Sequence, residues 1–173
     1  MQDKEDGRGM ASPLESFVEW LAQTPISQTI QKVDWIIPTA QTIHILAIAA
    51  VIGSMGLLDL RVLGVAARSQ SLSSVSQRLL PWVWRALIVL LLSGLVLITG
   101  EPGRSLVNTI FQVKMLLVVL AAVLTFFLER SLRARDDAPA DAKAIAAFSL
   151  AIWIAIVFAG RWIAYGDTLF GTG

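Results

Sequence analysis

Residues 87–98 read LIVLLLSGLVLI, an uninterrupted apolar stretch in which Ser93 is the sole polar side chain. A helix that packs on one side against a soluble core carries polar residues on its other face at helical spacing, and this stretch has none. It lies within an apolar run from Trp82 to Thr99. Because a helix needs about 20 mostly apolar residues to cross the hydrocarbon of a bilayer, the run predicts a membrane span.

Three more apolar runs of similar length lie on either side of it. They extend from Ile36 to Leu60, from Ile110 to Leu128 and from Ala144 to Tyr165. Of the 173 residues, 55% are apolar and 16% are charged, whereas an ordinary soluble domain carries about 25% charged residues. The sequence therefore predicts an all-α fold, an integral membrane four-helix bundle over residues 36–165.

The residues before the first span predict an amphipathic helix at the membrane surface. Ser12, Pro13 and Glu15 have the spacing of a capping box that starts a helix. The apolar residues on one face of that helix are Leu14, Phe17, Val18 and Leu21. Thr24 and Pro25 end it, and the following ISQTIQKV predicts a second short interfacial helix. We expect residues 1–35 to form an external extension with this interfacial segment, and residues 166–173 a short outer tail.

Several classes of function are excluded by composition. A net charge of +1 gives no basic footprint for nucleic acid. The absence of Cys removes disulfides, thiolate metal sites and cysteine nucleophiles, and a single His removes sites that need two imidazoles from one chain. The first residues, MQDKEDGRGM, lack the apolar segment of a cleaved signal peptide, and Met10 is an alternative start to Met1.

The distribution of cations predicts the orientation in the membrane, since Lys and Arg near span ends are retained in the cytoplasm. The connections after the first and third spans carry Arg61, Arg68, Arg78, Arg85, Arg130, Arg133, Arg135 and Lys143, whereas the opposite side has Lys32 and Arg104. We expect a multi-pass protein of the bacterial cell membrane with both termini outside. Trp20, Trp35 and Trp162 then form an outer belt, and Trp82 and Trp84 an inner one.

Three ionisable side chains inside the spans are candidates for function, because each costs about 2.5–3.5 kcal/mol near the centre of a bilayer. They are His44, Lys114 and Arg161, and the predicted topology puts all three in the outer leaflet. Gln41 lies one helical turn before His44, and Trp153 shares a face with Ser149 in the fourth span. An imidazole below two cations suits haem b, with His44 as the metal ligand and the cations paired with the propionates.

Other interpretations of these residues stay open. His44 can hydrogen-bond a neighbouring helix, while Lys114 and Arg161 can extend to lipid headgroups. Copper would suit His44 with a thioether of Met55 or Met115, although Met55 is about 16 Å from His44 along one helix, which excludes a pair within that span. The acidic residues Asp59 and Glu129, beside Arg61 and Arg130, are expected to be solvated charges at the inner ends.

The chain resembles a bacterial family of small four-helix membrane proteins of unknown function from Leu14 to Tyr165, including the closing FAGRWIAY. More distantly, IHILAIAAVIGSMGLLDLRVLG (43–64) and FQVKMLLVVLAA (111–122) resemble helices of CopD-type copper-resistance proteins and HemJ-type protoporphyrinogen oxidases. In the HemJ type, a His that opens one helix and a Lys that opens another are important, and a haem or porphyrin is bound. This resemblance implies that His44 and Lys114 belong to such a site.

We therefore expect a membrane subunit that binds haem b in the outer leaflet and transfers electrons with a periplasmic redox protein. It is not expected to be a stand-alone enzyme, and it needs a second iron ligand from elsewhere or five-coordinate iron. The alternative is a non-catalytic anchor or assembly subunit of a larger membrane complex or homo-oligomer, which the small-residue spacing of Ala49 and Gly53 permits. Copper handling is a third possibility.

Overall fold

A computed structural model describes residues 12–67, 69–132 and 138–169, with side chains for all of these except 104 and 160–169. The described residues form seven helices and no strand. The helices are α1 (Pro13–Ala22), α2 (Pro25–Lys32), α3 (Ile36–Val62), α4 (Leu72–Gly100), α5 (Pro102–Leu106), α6 (Thr109–Leu132) and α7 (Ala140–Leu169).

Four of these helices are long and apolar enough to cross a membrane: α3, α4, α6 and the segment Ala140–Ala159 of α7. The 29 residues of α4 span about 43 Å, more than the hydrocarbon thickness of about 30 Å, so its ends extend beyond that layer or the helix tilts. The predicted fold class, an all-α membrane helical bundle, is confirmed.

The predicted capping box starts α1. The Ser12 hydroxyl accepts a hydrogen bond from the Glu15 amide at 3.2 Å, and the Glu15 carboxylate accepts one from the Ser12 amide at 2.7 Å. Val18 is the buried residue of this helix, and it faces α5, where its Cγ1 lies 3.8 Å from the position of a Cβ on Gly103. The amphipathic helix therefore packs on the bundle's α4–α5 end through Val18, while Leu14 and Phe17 of its apolar face stay exposed.

The second short helix is present as α2 and is bonded to a span. Thr24 caps it, because its hydroxyl accepts a hydrogen bond from the Ser27 amide at 3.3 Å. The fully buried Ser27 hydroxyl donates to the Thr99 carbonyl at 2.7 Å, near the end of α4. We name this end of the bundle, which carries α1, α2 and α5, the outer end, and the opposite end the inner end, following the predicted topology.

Helix α4 begins at Leu72, ten residues before the apolar run that predicts the second span. The Ser-rich stretch before Pro81 is not a loop. The Ser71 hydroxyl caps the helix by accepting from the Ser74 amide at 3.2 Å, and Leu72 and Val75 are buried at helical spacing. Pro81 consequently lies inside the helix. A helix can pass through proline where packing compensates for the missing backbone hydrogen bond.

The other span boundaries differ by a few residues from those predicted. Helix α3 continues to Val62, and α6 runs from Thr109 to Leu132. Helix α7 begins at Ala140, within a stretch predicted to be a loop, and continues to Leu169, into the residues expected to form the outer tail. Residues 1–11 of the expected extension and 170–173 of the expected tail lie outside the described residues.

The four spans form a ring in the order α4, α3, α7, α6, with the most extensive packing between α3 and α4. Among the described side chains, the buried apolar cluster lies mainly in the inner half of the ring and reaches Ile156 on α7. Its members on α3 start at Val51, those on α4 end at Ala86, and those on α6 start at Ala121. In the outer half of α6, residues 109–120 include no buried side chain. The bundle is therefore closely packed at its inner end and loosely packed at its outer end.

Candidate functional site

His44 lies in the loosely packed outer half and is held by α4. Its half-buried ring places Nδ1 2.8 Å from the Ser93 hydroxyl oxygen. His44 follows Ile36 by eight residues and Ser93 precedes Gly100 by seven, which places both residues about 10–12 Å from the outer ends of their helices. The polar residue that interrupts the apolar run of α4 is therefore the partner of the chain's single histidine.

The hydrogen bonds of Ser93 assign the proton of the imidazole. The Ser93 hydroxyl donates to the Val89 carbonyl at 2.7 Å. A hydroxyl has one hydrogen. When that hydrogen is directed to Val89, Ser93 accepts from His44, and the neutral ring carries its proton on Nδ1 and its lone pair on Nε2. His44 also forms a hydrogen bond with the backbone of Leu90. This is the arrangement found where histidine binds a metal through one nitrogen and is oriented through the other.

The residue after Ser93 makes room for the ring. A Cβ on Gly94 would lie 3.4 Å from Cε1 of His44 and 3.9 Å from Nδ1. The pair Ser93 and Gly94 thus supplies a hydroxyl and an open backbone surface side by side. The imidazole packs against α4 at that surface.

Lys114 approaches the same level from α6. It lies five residues after Thr109, about 7.5 Å from the outer end of its helix. Its side chain is half-buried and interacts electrostatically with His44, although α3 and α6 do not pack side by side in the described bundle. Lys114 has no ion-pair partner among the described residues. The structure thus brings together an imidazole and a cation from opposite helices of the ring.

The other three predicted site residues have different outcomes. The side chain of Arg161 lies outside the described residues, although its backbone belongs to α7. Gln41 is exposed on α3. Trp153 is 4% exposed and belongs to the inner cluster of buried residues. Because Ser149, one turn before Trp153, faces Asp59 rather than His44, Trp153 is not in the His44 region.

The thioether of Met55 is also in the inner half. Met55 is fully buried, and its sulfur lies 3.9 Å from the Thr125 hydroxyl oxygen. It follows His44 by eleven residues, which is about 16 Å along α3. His44 and Met55 therefore do not share one metal site in this chain.

The prediction that Asp59 is a solvated charge is wrong. Asp59 is fully buried, and neither of its carboxylate oxygens has a hydrogen-bond partner among the described residues. Its neighbour Arg61 turns away and donates to the Gln70 carbonyl at 2.6 and 3.0 Å. The spacing along the sequence could have indicated this burial. Asp59 follows Met55 by four residues and Val51 by eight, so all three lie on the buried face of α3.

Glu129 likewise differs from the prediction of a solvated charge. It is half-buried and accepts a hydrogen bond from Trp84 Nε1 at 2.8 Å, which joins α6 to α4 near the inner end. The exposed Trp82 carries the Arg85 guanidinium over its ring at 5.4 Å. Of the predicted inner tryptophan belt, one ring is therefore exposed and the other links two spans.

A cleft of about 460 Å³ opens at the outer end between the short helices and the bundle. Its lining includes Val18, Glu19, Gln31, Ile37 and Glu101. A smaller hollow of about 280 Å³ lies along α2. Neither is lined by His44 or Lys114, so these hollows are separate from the histidine site.

Comparison with known proteins gives one family. A family model described as a family of unknown function (DUF6644) matches residues 17–166. No curated protein and no solved structure matches the chain. The distant resemblance to CopD-type and HemJ-type proteins has no support among these comparisons and stays a prediction.

Proposed function

The chain belongs to DUF6644, a family of unknown function, and from its own residues we propose that it is a membrane subunit that binds haem b through His44 and transfers electrons with a periplasmic redox partner. The observation that carries this proposal is the hydrogen bond from His44 Nδ1 to Ser93. It leaves Nε2 with a lone pair in the outer half of the bundle. Haem iron is commonly held by a histidine of this kind.

The residues around His44 fit a haem in two further respects. Lys114 supplies a half-buried cation without an ion-pair partner in the described part of the chain, and a propionate carboxylate would satisfy it. The outer half of α6 also exposes apolar side chains, including Leu116, Val119 and Leu120. A flat apolar ring with anionic ends would match such an apolar surface beside a cation. The sequence prediction assigns the second propionate to Arg161.

When bound, haem supplies one-electron chemistry, and the protein tunes it through the axial ligand, hydrogen bonding and burial. Ser93 fixes the orientation of the imidazole and keeps its proton on Nδ1. Lys114 neutralises negative charge on the outer side. The chain offers one imidazole, so the second axial position is vacant or filled by a group from another molecule.

We also propose the bacterial cell membrane as the location, with both termini outside. The excess of Lys and Arg in the connections at the inner end supports this orientation. His44 and Lys114 would then lie in the leaflet that faces the periplasm. This position is what makes a periplasmic electron donor or acceptor the expected partner.

The proposal is tested by the visible spectrum of protein purified from haem-replete cells. We expect a Soret band in the wild type and its loss in the His44→Gly variant. Added imidazole should enter the space left by the side chain and restore the band, which separates loss of a ligand from misfolding. An unchanged Soret band in His44→Gly, or its absence from the wild type, would reject the proposal.

The role of Lys114 is tested with two forms of the ligand. Lys114→Gln should weaken the binding of haem, because the propionate loses its cation, but leave the binding of haem dimethyl ester unchanged. Lys143→Gln, an exposed lysine at the inner end, is the matched control and should bind both forms like the wild type. Equal weakening for both ligands would indicate a packing defect at Lys114 instead.

A second candidate, a non-catalytic anchor or assembly subunit, is favoured by one observation. Ala49 and Gly53 are exposed on α3, and a Cβ on Gly53 would have no neighbour within 4 Å. Small residues on a lipid-facing side allow another helix to approach closely. In this case Gly53→Leu should release a co-purifying partner while His44→Ala has no effect, the reverse of the haem proposal.

A further inference from the structure

The second unusual feature of the bundle is a set of buried polar atoms without hydrogen-bond partners. In the described part of the chain these are both carboxylate oxygens of Asp59, the hydroxyl of Ser149 and Nε1 of Trp153. Asp59 and Ser149 are fully buried, and Trp153 is 4% exposed. Buried polar groups are nearly always satisfied by protein or water, so such a concentration requires an explanation.

The three residues lie at the contact between α3 and α7. The Ser149 hydroxyl faces the Asp59 carboxyl closely enough to interact with it, although the two groups do not have the geometry of a hydrogen bond. Trp153 follows Ser149 by four residues, so it occupies the same face of α7 about 6 Å nearer the outer end. The Ser149 hydroxyl therefore faces the carboxyl, and a second buried donor, Trp153, lies one helical turn away on the same face of α7.

No charged side chain of the described residues forms an ion pair with Asp59. On its own helix, Arg61 donates to the Gln70 carbonyl. The charged groups near the inner ends of the other spans are engaged or exposed: Arg78 with the Gln70 side chain, Arg85 with Trp82, Glu129 with Trp84, Asp141 with Ser131, and the exposed Arg130 and Lys143. Among the described residues, an ionised carboxylate in this position would have no compensating charge.

An isolated buried carboxylate is so costly that the group takes up a proton instead. We propose that Asp59, Ser149 and Trp153 form a proton-binding site within the bundle, in which the Asp59 carboxyl carries a proton at neutral pH and exchanges it with the inner side. The reaction is the addition of one proton to a carboxylate oxygen. This site does not depend on haem binding at His44, which lies fifteen residues, or about 22 Å, away along α3.

The types of neighbouring group favour a proton over a metal cation. The Trp153 indole is a hydrogen-bond donor and has no lone pair to ligate a cation. It and the Ser149 hydroxyl can instead donate to the carboxyl oxygens. Asp59 precedes Val62, the last residue of α3, by three residues, so it lies about 4.5 Å from the inner end of the helix. Proton exchange is therefore expected from that end.

Infrared spectroscopy of the full-length protein in lipid tests this assignment. At pH 7 we expect the C=O stretching band of a protonated carboxyl, with a shift in D₂O, and its loss in the Asp59→Asn variant. Asp141→Asn, an exposed aspartate at the same end, is the matched control and should retain the band. Because asparagine is neutral like a protonated aspartate, Asp59→Asn should keep the wild-type unfolding temperature.

Two results would overturn the proposal. One is a wild-type spectrum at pH 7 that shows only ionised carboxylate. The other is a carboxyl band that appears only after Na⁺ is removed, which would make the group a cation site. Ser149→Ala supplies an independent measurement, since loss of its hydroxyl should shift the band without abolishing it. A Ser149→Ala band identical to the wild type would remove Ser149 from the site.

Discussion

Ser93 is the residue that turns a membrane histidine into a candidate ligand. When its single hydrogen is directed to the Val89 carbonyl, the His44 ring donates to it through Nδ1. Without this bond the imidazole could adopt either tautomer, and Nε2 would carry the proton in one of them. The Ser93 hydroxyl, through its contact with Nδ1, therefore affects whether the other ring nitrogen, Nε2, has a free lone pair.

Substitution of Ser93 tests its effect on the His44 ligand. Ser93→Ala should weaken haem binding about 10- to 100-fold, the usual effect of removing the group that orients a histidine ligand. The measurement is a Soret titration of the apoprotein with haem. Thr99→Ala is the control, because Thr99 makes the same kind of bond to its own helix, donating to the Leu95 carbonyl at 2.8 Å, without contacting His44. Equal affinities for the two variants would contradict the proposed role of Ser93.

The sequence identifies His44 and Lys114 but not the status of Asp59. His44 and Lys114 were selected because ionisable side chains are rare within a span, and the structure brings these two residues together. Asp59 was misjudged because proximity to Arg61 and to the end of a span suggested solvent. The buried face of α3 is set by its contact with α7. The residue pattern of α3 alone does not show where α7 packs. The hydrogen bond of Ser93 was likewise not predictable, since it requires the register of α3 against α4.

Among the elements, the starts of the helices were predictable where a cap was present and recognised. Ser12 and Glu15 form the expected box, and α2 was expected from its residue pattern. The apolar run from Trp82 does not mark the start of α4, because Ser71 is the cap and the residues between Ser71 and Pro81 are buried at helical spacing. Tertiary packing over the inner end of the bundle outweighed the local signal from proline.

The docking of α2 against the spans gives a prediction with a built-in control. A Cβ on Gly100 would lie 2.9 Å from Ile30 Cγ2 and 3.4 Å from Ile37 Cδ1. We expect Gly100→Ala to lower the free energy of unfolding by about 1–3 kcal/mol, the usual cost of overpacking. Gly53→Ala has open space around its Cβ and should be neutral or stabilising, since alanine favours helix over glycine by about 1 kcal/mol.

Unfolding in detergent, followed by circular dichroism, measures both glycine variants. Limited proteolysis adds a local readout, because Gly100→Ala should expose the segment around α2 to cleavage before the spans unfold. If Gly53→Ala were as destabilising as Gly100→Ala, the contact with Ile30 would not be the cause. The packing of α2 would then not depend on its close contact with Gly100 at the end of α4.

At the scale of the whole molecule, the uneven packing divides the bundle into two parts. The inner half has the buried cluster and the unpartnered Asp59 group, while the outer half has few buried side chains and contains His44 and Lys114. Composition and span length predicted the bundle itself. They did not predict this asymmetry, because the average hydropathy of a span is insensitive to which of its residues contact protein and which contact lipid.

The orientation of this asymmetric bundle decides which compartment each site serves, and the absence of native cysteine makes it directly measurable. Single cysteines at Thr29 on α2 and Ser74 on α4 replace exposed hydroxyl residues at opposite ends. In spheroplasts, a membrane-impermeant maleimide should label Thr29→Cys, whereas Ser74→Cys should react only in inverted vesicles. The opposite pattern would place His44 in the cytoplasmic leaflet. A periplasmic electron-transfer partner would then be excluded, while haem binding itself and the proton site at Asp59 would remain to be judged by their own spectra.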